Sequence, residues 1–99
     1  MKDIATAFDR YSDEHPRIAV IGDIMLDEHV TVDVLGISPE DDLAWKLKIR
    51  NTTSKPGGAA NVAMNLKALG ANVLLIGEIG RDYAGNTWKA HIEEAGVKF

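Results

Sequence analysis

The sequence predicts an α/β chain: a parallel sheet with flanking helices, and a two-stranded β excursion from it. Three observations carry this. Two short apolar runs, "RIAVIGD" at 17–23 and "NVLLIGEIG" at 72–80, have the length and β-branched content of strands buried on both faces of a parallel sheet. A stretch of helical period at 59–69 lies between them, giving the strand, helix, strand order of a parallel crossover. Segments 29–34 ("HVTVDV") and 43–50 ("LAWKLKIR") alternate with period two, the signature of strands with one wet and one apolar face.

Each element follows in order. In "DIATAFDRYS" (3–12), Ile4, Ala7, Phe8 and Tyr11 fall at i, i+3, i+4 and i+7, one stripe of an amphipathic helix. Pro16 ends it, because the residue before a proline, His15, is pushed out of the helical region. The 43–50 strand sets Leu43, Trp45, Leu47 and Ile49 against Ala44, Lys46, Lys48 and Arg50, and "LGISPEDD" (35–42) reads as the loop before it. The helix at 59–69 turns Val62, Leu66 and Leu69 inward, and Gly70 supplies the left-handed residue that ends it. Residues 82–96 form a further helix with Asp82 as a cap, Trp88, Ile92 and Ala95 along one side, and Gly96 at its end. Val97-Lys98-Phe99 opens another strand. No internal repeat breaks this single unit, residues 1–99.

Bulk properties narrow the function classes. A net charge of −4, with Lys and Arg scattered, argues against nucleic acid or a membrane surface as partner. There is no cysteine, hence no disulfide framework or thiolate metal site, and the start Met1-Lys2-Asp3 has no signal-peptide pattern. The expected setting is cytoplasmic. His15, His29 and His91 lack zinc-site spacing, so no metal site is expected.

The most informative segment is "SKPGGAANVAMNLKALG" (54–70). Glycines at a helix mouth let an oxygen-rich ligand approach unpaired N–H groups and the positive end of the helix dipole. Asn61, in the first turn, adds an amide that both donates and accepts, which suits sugar hydroxyls. A tight strand-to-helix turn at Gly57-Gly58 with no ligand would leave the same pattern.

Three motifs in register resemble the ribokinase-like, or phosphofructokinase-B, family of carbohydrate kinases. They are "PGGAANVAMNLKALGANVLLIGEIG" with Gly57, Gly58, Ala59, Asn61, Ala63, Gly70 and Gly80; Gly22 with Asp27 five residues on; and Gly80-Arg81-Asp82-Tyr83-Ala84-Gly85. The resemblance covers most of 17–99 and implies a Rossmann-like sheet whose sugar site lies between the first strand and the double glycine, under a β lid formed by 29–34 and 43–50. It implies that Asp27 holds sugar hydroxyls as a charged acceptor, with Asp23 as a substitute, and that Gly57, Gly58 and Asn61 shape the opposite wall. "ISPE" at 37–40 most resembles the kinases of heptose 7-phosphate, although Asp41-Asp42-Leu43-Ala44-Trp45 replaces the usual hydrophobic, proline-containing run. Arg50, Lys55 and Arg81 are cations that a substrate phosphate would suit, but each such residue is more often a solvated charge, and none of them is assigned to the site.

Family members are roughly three times longer, and ATP with Mg2+ is implied for the complete enzyme, whose nucleotide part and catalytic aspartate lie in a C-terminal glycine-alanine-glycine-aspartate region. No such segment occurs in these 99 residues, so no cofactor and no catalytic residue is expected of this chain alone. The expected function is therefore the sugar-binding part of a sugar or sugar-phosphate kinase, inactive by itself and dimerising through its lid strands. A non-catalytic dimerising or regulatory module is the alternative; a dinucleotide-binding unit is disfavoured because G-x-G-x-x-G does not follow the first strand.

Overall fold

A parallel pairing of two short strands carries the core. In the computed structural model, which describes residues 3–99, α1 (Ile4–Glu14) leads into β1 (Arg17–Ile21), and β4 (Asn72–Ile76) pairs parallel with β1 from Arg17↔Asn72 to Ile21↔Ile76. Between them come β2 (Ile24–Ile37), β3 (Trp45–Gly58) and α2 (Ala59–Ala68); α3 (Tyr83–Ala95) follows β4. Lys98 then bridges parallel to Leu74, so the predicted strand opening at 97–99 adds to the free edge of β4. Met1 and Lys2, part of the start read for targeting, lie outside the described residues. Among the described residues no helix is long and apolar enough to cross a membrane.

The core lies on one face of this sheet. Val73 and Leu75 point into it from β4, Trp88 and Ile92 from α3, and Ala60 and Ala63 from α2. Trp88, Leu75 and Ile92 are each about 1% exposed, and burial of such side chains stabilises by about 1.5–3 kcal/mol apiece. Phe99 meets Trp88 edge-on, with centroids 4.8 Å apart. The expectation of strands buried on both faces is corrected here. Ala19, Ile21, Leu74 and Ile76 are exposed on the opposite face, because among the described residues no element packs over them.

The helices keep their predicted spans but not always their predicted faces. In α2 the inward residues are Ala60 and Ala63; Val62 and Leu69 are about half exposed and only Leu66 is partly covered. Small alanine side chains let the helix axis approach the sheet closely, and that close approach overrides the larger apolar residues on the neighbouring stripe. The apolar stripe of α1 is also uncovered, with Ile4, Phe8 and Tyr11 exposed. At its end His15 is left-handed (φ 47°) rather than extended, and its Nδ1–H donates to the Gly70 carbonyl at 3.0 Å, holding the helix against the α2–β4 turn.

Helix ends follow the sequence closely. Gly70, at φ 101°, ends α2 with Gly70 N–H on the Lys67 carbonyl and Ala71 N–H on the Leu66 carbonyl, the paired bonds of a Schellman motif. Gly96 ends α3 in the same way. Asp82 caps α3, its Oδ1 accepting from Gly85 N–H at 2.8 Å. A side chain at Gly85 would run into the Gly80 carbonyl, so the Gly80-Arg81-Asp82-Tyr83-Ala84-Gly85 motif is a helix-start device.

The β excursion is larger than 29–34 and 43–50. β2 and β3 pair antiparallel from Ile24↔Gly58 to Ile37↔Trp45, with irregularities at Thr31/Val32 and Val34/Gly36. The loop expected at 35–42 moves to 38–44, so Leu43 and Ala44 lie outside the strand expected to contain them. This hairpin projects from the body: the radius of gyration is 19.4 Å, where a compact chain of this length has about 13 Å. Its root is held by Ile24 and Leu26 against the core, and by a hydrogen bond of 3.1 Å between Ser54 Oγ and His91 Nε2 on α3. Towards its tip Val32, Val34, Leu47 and Ile49 pair across the strands as an apolar face, and Trp45, more often a packing residue, is 65% exposed.

Candidate sugar site

The candidate residues gather where β3 becomes α2. Backbone alternation along β2 sends Ile24 and Leu26 to the core side and Met25 and Asp27 to the other. On β3 the register places Gly57 opposite Met25 and Lys55 opposite Asp27, so all four share that second face. Asp27 therefore lies on a strand, not in the loop that its type would suggest, and it is exposed.

The two glycines make room for two aspartates. An added Cβ at Gly57 would sit 2.5 Å from Asp27 Oδ2 and 2.6 Å from Oδ1, so the carboxylate occupies the space that a side chain would fill. At Gly58 the same construction meets the Asp23 backbone carbonyl at 2.6 Å, and φ is +59°. That carbonyl accepts from Ala59 N–H at 2.9 Å, tying the start of β2 to the first helical residue of α2. Gly58 is thus required by the backbone itself, while Gly57 is required by the placement of Asp27.

Around this junction the chain stays open. No side chain caps α2; its first N–H, of Ala59, is taken by the Asp23 carbonyl, Ala60 is fully buried, and the positive helix end has no polar side chain over it. Asn61 stands in that first turn, exposed, and its side chain makes no hydrogen bond among the described residues. Asp23 lines a crevice of about 580 Å³ at the carboxyl ends of β1 and β4, together with Gly22, Met25, Gly77 and Glu78. Ligands of open parallel sheets bind in such crevices. Met25 borders it and shares a face with Asp27, so the carboxylate lies on the crevice's continuation up the hairpin.

The structure thus brings Asp27 onto Gly57 and Asp23 onto Gly58, and leaves Asn61 free beside them. Sequence reading missed the direct contact of Asp27 with Gly57, which only the antiparallel register of β2 and β3 reveals. Chemically, the arrangement offers a carboxylate acceptor and an amide that donates and accepts, near a positive helix end: a set suited to a polyol. Among the described residues no three His, Cys, Asp or Glu converge to hold a metal ion.

Residues 15–99 match the family described as pfkB family carbohydrate kinase. The chain is 38% identical over 84 residues to the bifunctional protein HldE of Hahella chejuensis, covering 85% of this chain and 17% of that protein. It is 41% identical over 85 residues to HldE of Salmonella dublin, covering 86% and 18%, and 41% identical over 80 residues to HldE of Pseudomonas aeruginosa, covering 81% and 17%. The chain therefore spans less than a fifth of the length of these relatives.

The two glycines should respond differently to a methyl group. Gly58→Ala should lower the stability of the chain by about 2 kcal/mol or more, since a backbone at φ 59°, ψ −133° is one that glycine alone adopts readily and costs other residues about 1–3 kcal/mol, and the new Cβ also strikes a carbonyl. Gly57→Ala should cost about 1 kcal/mol or less, because only an exposed carboxylate has to swing away. Urea denaturation of both variants checks this; equal losses would show that Gly57 is held by the backbone too.

Proposed function

Because this chain belongs to the pfkB family of carbohydrate kinases, we propose that it forms the N-terminal, sugar-side part of an ATP-dependent sugar or sugar-phosphate kinase, with heptose 7-phosphate as substrate. The carrying observation is the Asp27 carboxylate seated over Gly57 beside the uncapped start of α2. Asp27 accepts hydrogen bonds from sugar hydroxyls, which are stronger to a carboxylate than to a neutral acceptor. Asn61 donates and accepts from the helix side, Gly57 and Gly58 keep the wall low, and Asp23 lines the crevice below. The hairpin of β2 and β3 serves as the lid, with the protein acting in the cytoplasm.

Phosphoryl transfer rests on positioning and on electrostatic stabilisation of the transferring group. ATP with Mg2+ supplies that group in the family; neither is assigned to side chains of this chain, which contains no glycine-alanine-glycine-aspartate segment. The 99 residues by themselves are accordingly proposed to bind sugar without turning it over. Incubation with ATP and heptose 7-phosphate should yield no ADP above a blank, and steady ADP release that Asp27→Ala abolishes would refute this.

Asn61→Ala discriminates binding from architecture. Alanine is the best helix former, and Asn61 supports no hydrogen bond that folding needs. Sugar affinity, read by isothermal titration, should fall about ten- to a hundredfold, the equivalent of one or two hydrogen bonds at about 1–1.5 kcal/mol each, with the melting temperature nearly unchanged. Lost stability with unchanged affinity would assign Asn61 to architecture and end the binding reading.

The lid also accounts for the apolar surface of the hairpin. Val34, Leu47, Ile49 and Trp45 are 51–65% exposed, and an uncovered apolar strand pair recruits a partner. We read this face as a homodimer contact, the same face that a non-catalytic dimerising module would use. Sedimentation at about 100 μM, which detects association of roughly 5 kcal/mol or more, should show dimer, and Trp45→Lys should shift it to monomer. A strictly monomeric wild-type chain would contradict the assignment.

A further inference from the structure

The structure chooses among the three cations that the sequence left equivalent, and the choice bears on substrate class. Arg50 is occupied: its Nε lies 3.2 Å from Asp33 Oδ2 across the hairpin. Arg81 belongs to the loop that starts α3, outside the β2–β3 pairing that sets a residue directly opposite Asp27. Lys55 is the direct cross-strand neighbour of Asp27, on the same face. Directly opposed side chains stand about 4.5–5.5 Å apart at Cβ, and opposite charges in that position normally pair. Here they do not: no ion pair joins Asp27 and Lys55 among the described residues, because the carboxylate leans diagonally over Gly57. The missing Cβ at Gly57 draws the anion towards α2 and leaves the ammonium without its counter-ion.

We propose that Lys55 is the specificity-determining cation of the sugar site, taking the anionic substituent of a phosphorylated sugar while Asp27 takes its hydroxyls. This deepens the sugar-site reading above and rests on it. A carboxylate collapsed onto the lysine would neutralise both groups and present little to either part of such a substrate. Held apart, they form an acceptor and a cation on one surface, matched to a ligand whose hydroxyls and phosphate are several bonds distant. A neutral sugar would use only the Asp27 half.

The test compares heptose 7-phosphate with unphosphorylated heptose by isothermal titration of the full chain. Wild type should prefer the phosphate ester by about ten- to a hundredfold, the range of one charge-assisted contact. Lys55→Met should reduce that preference to within about threefold while leaving the affinity for the neutral heptose unchanged, and Lys55→Arg should keep most of it. Lys55 is exposed and in no ion pair, so circular dichroism of both variants should match wild type. If both sugars bind and Lys55→Met retains the full preference, the assignment of Lys55 is wrong while the sugar site stands. If neither sugar binds wild type, both fall together.

Discussion

The junction of β3 with α2 is the constraint on which the rest of this structure depends. Gly58 turns the chain with a left-handed backbone against the Asp23 carbonyl, and that carbonyl receives the first N–H of α2. One point therefore fixes where the hairpin leaves the sheet, where it returns and where the helix begins. From there α2 lays Ala60 and Ala63 on the core and delivers the chain through Gly70 into β4. The parallel register of β4 with β1 is set by this path, since the hairpin and the helix together make the crossover between the two strands.

The same junction links architecture to chemistry. A glycine at 57 costs conformational entropy in a strand, yet it gives the Asp27 carboxylate a seat beside an uncapped helix start. Local strand quality is given up and a place for the carboxylate is gained. The hairpin root is clamped at the same level on its other face, by Leu26 in the core and by Ser54 against His91. The acceptor is thus carried on a strand packed against the body, whereas the distal half of the hairpin has no such support. A supported root with an exposed apolar tip is the division that the proposed lid calls for: a base that keeps Asp27 in place and a remainder open to another surface.

Much of this was legible in the sequence, for identifiable reasons. Helix ends were readable because Asp82, Gly70 and Gly96 act through local backbone geometry that neighbouring residues determine. The strands of the sheet were readable from their apolar runs, but not the uncovered face with Ile21 and Ile76, because a run buried on both sides and a run open on one look alike. The inward face of α2 was misassigned to Val62 and Leu69, since hydropathy favours large residues whereas close helix–sheet packing favoured alanine. The length of the hairpin was underestimated because its root, from Ile24 to Asp27 and from Lys55 to Gly58, carries no alternation that separates strand from loop. The candidate residues meet around the junction of β3 with α2, but the contact of Asp27 with Gly57 is a cross-strand fact across a long separation in the chain, and only pairing reveals it.

The central claim is that sugar is held between the Asp27 face of the hairpin and the start of α2. Amide chemical-shift mapping of the chain during titration with heptose 7-phosphate tests it most directly. The largest shifts should cluster at residues 25–27 and 55–61, with smaller ones at 22–23 and little change around Trp88 and along α1. Shifts concentrated at the hairpin tip, around α1 or in the Trp88 core, or none at saturating sugar, would contradict it.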